Sequence, residues 1–161
     1  MIKKPLILLL CTLMLAACDN KPAPKDIEEP VKADTSEMLL GYDLDKDGIR
    51  EDVEEYIKSL SITDVQKAAT RFEAKVLQDT LSVDIKNADA LQANNKNMMD
   101  AIVCMNAQFE NYEDADAIGI SLEERTFNTS KRAAAYEAYN KALADLNLVI
   151  EIPTGNTCQS V

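Results

Sequence analysis

A chain of 161 residues with 28 acidic and 17 basic side chains, a formal net charge of −11, has the wrong sign for nucleic acid or an anionic lipid surface as a partner. It contains no histidine, which removes imidazole-based triads, imidazole zinc ligands and the commonest general base. Tryptophan is absent and aromatic residues make up only 5% of the chain, too few for a broad sugar- or base-stacking platform.

Lys3 and Lys4 precede an apolar run from Leu6 to Leu10 that resumes from Leu13 to Ala17. The run is too short to span a bilayer and has the layout of a secretory signal. It ends in LAAC, Leu15 to Cys18, small residues before a cysteine. This resembles the lipobox of bacterial lipoproteins, which implies a signal peptide over residues 1–17, cut before Cys18, and lipid on that cysteine. Several acyl chains on one residue anchor a protein stably where one does not, so the mature chain is expected on a membrane rather than in it. The alternative is an ordinary secreted protein that uses Cys18 in a disulfide. Asp19 is similar to the residue that retains enterobacterial lipoproteins on the inner membrane, which implies a periplasm-facing position there rather than on the outer membrane. Without Lys3 and Lys4 the formal charge becomes −13 (15 basic against 28 acidic residues). That suits a domain held off a membrane, or one that meets a basic protein.

Residues 18–37 are expected to be the lipidated cysteine and a tether, since NKPAPKDIEEPVKADTSE has three prolines, mixed charge and few large apolar residues. The folded domain is expected over residues 38–161. Near its start stands DLDKDGIREDVE, residues 43–54, with acids at positions 1, 3, 5, 9 and 12 and Gly48 at position 6. Calcium takes six to eight oxygens, and a 12-residue loop can wrap them around the ion. Asp43, Asp45 and Asp47 would supply side-chain oxygens and Ile49 its backbone carbonyl. Glu51 would bind directly or through water, and Glu54 with both oxygens. Lys46 and Arg50 fall at non-ligand positions, where they would soften repulsion. The stretch resembles the EF-hand loop family, including the dockerin and thrombospondin type-3 variants, and implies one structural calcium ion. An EF-hand usually has an apolar residue at position 8 for pairing with a sister loop; here that position is Arg50. No second loop is present, and SEMLLGY is short for an entering helix. The other reading of the acids is a cap that complements the dipole of the following helix.

Beyond the loop, Ile49, Val53, Ile57 and Leu60 form one apolar helix face. Thr63 followed by Gln66 is a capping box for a second helix, striped by Val65, Ala69, Phe72 and Val76 and running to about Thr80. A third is expected from about Val83 or Asp84 to Phe109, with Met98, Ile102, Met105 and Phe109 inward and a break near Asn94. ENYEDADAIGISLEERTFNT reads as an acidic connection with a short turn from Leu122. A last helix, from about Ser130 to Leu148, presents Ala135, Tyr139, Ala142 and Leu146. Cys11 leaves with the signal and Cys18 goes to lipid, so Cys104 and Cys158 are expected to form one disulfide in an oxidising compartment. The fold class is therefore all-α: a bundle of about four helices preceded by the calcium loop.

No catalytic constellation emerges. Ser130 and Lys131 are adjacent and cannot face each other on a helix, and nothing pairs Glu123 and Glu124 across a cleft. The leading reading is a non-enzymatic, membrane-anchored envelope lipoprotein whose helical domain binds another protein. The alternatives are an acidic inhibitor or immunity-type lipoprotein directed at a basic protein, and a periplasmic hydrolase that uses carboxylates.

Overall fold

The computed structural model describes residues 32–147 and 152–158. The signal, Cys18 and residues 19–31 of the expected tether lie outside the described residues. Every regular element among the described residues is a helix: α1 Glu51–Ser59, α2 Asp64–Thr80, α3 Ala88–Gln108, α4 Tyr112–Thr126 and α5 Ser130–Asp145. The expected all-α class holds, with one helix more than the sequence suggested.

Side-chain caps set most of the helix starts. Thr63 and Gln66 form the full capping box of α2, with Gln66 N–H donating to Thr63 Oγ1 and Thr63 N–H donating to Gln66 Oε1. Asn87 accepts from the Ala90 amide, so α3 begins at Ala88 rather than at residue 83 or 84. Asn111 and Thr129 do the same for α4 and α5. No break interrupts α3 at Asn94, which lies buried on its inner side.

The helix that the sequence concealed is α4, in the stretch expected to be an acidic connection. Its apolar stripe is thin: Ala115 and Leu122 are buried and Ile118 half-buried, at spacings of 3 and 4, while Tyr112 and Ile120 remain exposed. Val65 and Ile102, both expected to face inward, are also exposed. The buried seam of α3 runs instead through Leu91, Asn94, Ala101, Cys104 and Met105, and Ile102 falls on its flank.

Two apolar clusters share α2. Ile49, Val53, Ile57, Ala74, Leu77 and Leu122 join α1, α2 and α4. Ala69, Phe72, Val76, Ala101, Cys104 and Met105 join α2 to α3. The Cys104–Cys158 disulfide is present and closes a separation of 54 residues. It fastens the described part of the tail to α3, where Thr157 Oγ1 also donates to the Asp100 carbonyl at 2.7 Å. Constraint of the unfolded chain by a loop of that length contributes about 4 kcal/mol in the chain-entropy model.

The strongest departure from the sequence reading is a buried ionic group. Arg50 and Arg132 are both fully buried, with Asp34 and Asp52 as counter-charges. Arg50 pairs with Asp52 and donates to the carbonyls of Arg125 (2.6 Å) and Thr126 (3.3 Å), at the end of α4. Arg132, on the first turn of α5, donates to the carbonyls of Asp34, Met38 and Leu39 and to Asp34 Oδ2. The segment before Met38, expected as tether, is therefore fastened to the domain from Asp34 onward. Burial alone would raise the Asp34 carboxyl, but hydrogen bonds from Ser36 and the Arg132 charge hold it below its ordinary value. Gly41 has a positive φ of 72°, and a Cβ there would collide with Arg50, Asp34 and Arg132.

Removing one partner of a buried ionic group leaves the other charges uncompensated, at a typical cost of about 3–5 kcal/mol. Arg132→Ala should lower the unfolding free energy by that amount in urea titration. The neighbouring Lys131→Ala, which removes one exposed bond to the Glu37 carbonyl, should cost about 0.5 kcal/mol or less. Equal costs for the two variants would show that the buried group does not hold the N-terminal segment.

Candidate metal centre

Residues 43–50 turn the chain into α1, whose first residues carry Glu51 and Glu54, and backbone amides of the turn donate to the loop's own carboxylates. Lys46 adopts the left-handed conformation (φ 62°) and Gly48 a φ of 92°, which reverse the chain within three residues. A Cβ at Gly48 would also run into the Lys75 ammonium, so this position excludes a side chain twice over. The Asp47 N–H donates to Asp45 Oδ1 at 3.3 Å and the Ile49 N–H to Asp47 Oδ1 at 2.8 Å. Gly48 N–H donates to Asp43 Oδ2 at 3.1 Å, and Leu44 N–H to Glu51 Oε1 at 2.7 Å. Glu51 N–H closes the turn on the Tyr42 carbonyl at 3.0 Å.

These constraints gather the acids into two overlapping triads. Asp43, Asp45 and Glu51 each offer a carboxylate oxygen within 4.8 Å of the others, and so do Asp45, Asp47 and Glu54. Asp45 belongs to both. The first triad could hold a metal ion, and its all-oxygen donor set suits a hard cation. Asp43 Oδ1 is buried and has no hydrogen-bond partner among the described residues, an acceptor that a cation would satisfy. All five carboxylates expected as ligands are thus in the loop's two groups. Ile49, expected to contribute its carbonyl, has its side chain buried in the first apolar cluster, which ties the loop backbone to the core.

Basic residues on α2 and α1 complete the picture, and the sequence reading missed them. Arg71 pairs with both Asp47 and Glu54. Lys75 Nζ donates to the Asp47 carbonyl at 3.0 Å, and Lys58 Nζ to Glu54 Oε2 at 3.1 Å. Burial would raise the Glu54 carboxyl, but the hydrogen bonds from Arg71 and Lys58 hold it below its usual range. The closing glutamate therefore has a salt-bridge partner on each oxygen. Among the described residues, Asp43, Asp45 and Glu51 form no ion pair with a basic side chain. Arg50, expected to soften repulsion within the loop, is turned away into the buried group with Asp52. Arg71 and Lys75 are four apart on α2, which places them on one helix face, but that spacing does not reveal which loop they face.

A divalent ion that engages Asp47 and Glu54 must displace the Arg71 guanidinium. Hydrogen bonds to charged groups contribute about 1.5–3 kcal/mol, so Arg71→Gln should tighten divalent-cation binding by roughly tenfold or more in calorimetry. Weaker binding in that variant would mean that Arg71 positions Glu54 for the ion instead of competing with it. In comparisons with known proteins, no family model, no curated protein and no solved structure matches this chain, so the chemistry of the site rests on its own geometry.

Proposed function

We propose that this chain is a lipid-anchored envelope protein whose helical domain is stabilised by one calcium ion and binds another protein on the periplasmic side. The observation that carries the calcium reading is the shared Asp45: two three-carboxylate groups, drawn from the turn at Gly48 and the first turn of α1, meet at it. Six to eight oxygens at variable geometry suit calcium, whereas magnesium needs a tighter octahedron than such a long loop offers. The ion would complete the coordination of Asp43 and cross-link the loop to α1 through Glu51 and, once Arg71 moves aside, Glu54. Its role is structural, since the loop has no sister loop with which to act as a paired sensor.

The anchor reading is supported by Leu15–Cys18 at the end of an apolar run, and inner-membrane retention by Asp19. No described helix is long and apolar enough to cross a membrane. The chain has no histidine, and the loop acids are gathered in a metal-type group or held in ion pairs, which favours a binding module over a hydrolase.

A lone loop of this kind should bind calcium with a dissociation constant on the order of 10⁻⁵–10⁻³ M. At 100 times that constant, the ion should add about 2.7 kcal/mol of stability. Asp45→Ala should abolish the gain while leaving the helical content intact, because the residue is exposed and belongs to both triads. Thermal melts with calcium and with chelator decide it; no shift at millimolar calcium would reduce the stretch to an acidic helix cap. Cys18→Ser should no longer incorporate radiolabelled fatty acid, and undiminished labelling of that variant would overturn the anchor.

A further inference from the structure

Glu73 lies on α2 between Arg71 and Lys75, and two residues turn a helix by about 200°. It therefore faces away from the loop, into a cavity of about 170 Å³ bounded by α2, α3 and α4. Its exposure is only 8%, and among the described residues it has no hydrogen-bond or ion-pair partner. Gly119 of α4 passes directly over it: a Cβ there would lie 3.0 Å from Glu73 Oε1. A mid-helix glycine is less favourable than alanine, yet here it leaves the carboxyl room at the floor of the cavity. Met105 forms a buried wall, and Ile102 and Ile120, exposed and unexplained by the core, stand at the mouth. Asp116 and Glu123 add two more acids to the lining.

The carboxyl of a buried residue with no partner among the described residues, an apolar collar and an acidic lining together fit a cation that carries an apolar stem. A bare metal ion fits less well, because among the described residues the two acid groups close enough to hold one both lie in the loop. The volume is close to the ~150 Å³ of cavities that admit a benzene-sized guest, enough for one short chain. We propose that this cavity is a binding site for an alkylammonium group, its methylene stem against Met105, Ile102 and Ile120 and its charge on Glu73. A lysine side chain presented by a partner protein and a free aliphatic amine share this chemistry. The site is separate from the loop and does not depend on calcium there.

Burial raises the Glu73 carboxyl to about 7, with Glu123 and Asp116 adding to the shift. The lining residues from α3, Ile102, Met105 and Asn106, bear no charge. The acid is thus largely neutral below pH 7 and ionised above it, and a bound ammonium favours the ionised form. Affinity should therefore rise as pH goes from 6 to 8.

The test is a titration of the isotope-labelled mature chain, residues 18–161 with Cys18→Ser, followed by nuclear magnetic resonance. The probes are n-butylammonium chloride, n-butanol, sodium chloride and a short peptide with one central lysine. Butylammonium should give saturable shifts at the Ile102 and Ile120 methyls and the Gly119 amide, several-fold tighter at pH 8 than at pH 6. Glu73→Gln should weaken it at least tenfold, and Gly119→Ala, which crowds the floor, should weaken it independently. Tighter binding of the lysine peptide than of butylammonium would assign the site to a protein partner, and the reverse order would assign it to a free amine. Absence of shifts with both cationic probes, or equal shifts with butanol or sodium, would overturn the proposal. Binding that survives Asp45→Ala would separate this site from the calcium reading, whichever way that reading is decided.

Discussion

Two arginines that never meet solvent hold this fold together. Arg50 leaves the acidic loop and reaches the last carbonyls of α4, while Arg132 opens α5 and gathers the carbonyls of residues 34, 38 and 39. Asp34 and Asp52 balance their charge, so the group closes electrically as well as sterically. Burying four charges is costly unless nearly every donor finds an acceptor, and here the backbone carbonyls supply most of them. The consequence is mechanical. The N-terminal segment, the loop, the end of α4 and the start of α5 cannot move separately without exposing an unpaired charge.

This constraint explains how a solitary loop keeps its shape. A paired loop leans on its sister through an apolar residue at position 8. Arg50 holds that position here and leans on α4 instead, while Ile49 beside it enters the apolar cluster. The helix α2 then organises the rest by presenting different chemistry around its circumference. Arg71 and Lys75 meet the loop, Phe72 and Val76 meet α3, and Glu73 looks toward Gly119 of α4. One helix thus borders both a site rich in paired charge and a cavity floored by an acid that has no partner among the described residues.

What was legible in the sequence is what is local. Thr63 and Gln66 announced α2 because a capping box is complete within four residues. The loop acids announced their grouping because turn geometry converts sequence order into convergence within 12 residues. Cys104 and Cys158 were paired by elimination, and the bond is present. What was hidden is long-range or thinly patterned. Arg132 and Asp34 lie 98 positions apart, and no periodicity marks either as buried. Two of the large apolar residues of α4 face out, so its stripe is too weak to compete with its acidic surroundings. Ile102 and Val65 fit a helical stripe by spacing yet fall outside the seam, because spacing does not say which face a neighbouring helix will cover.

On these contacts the buried arginine group should present the loop already formed, before any ion arrives. Amide hydrogen exchange of the metal-free protein tests this. Three amides report on it: Asp34, which donates to Asp52; Ile49, which donates to Asp47; and Glu51, which donates to Tyr42. A preformed loop should protect them to a level comparable with the interior of α2. If these three exchange at unprotected rates while α2 stays protected, the loop is not held by the fold and the claim fails.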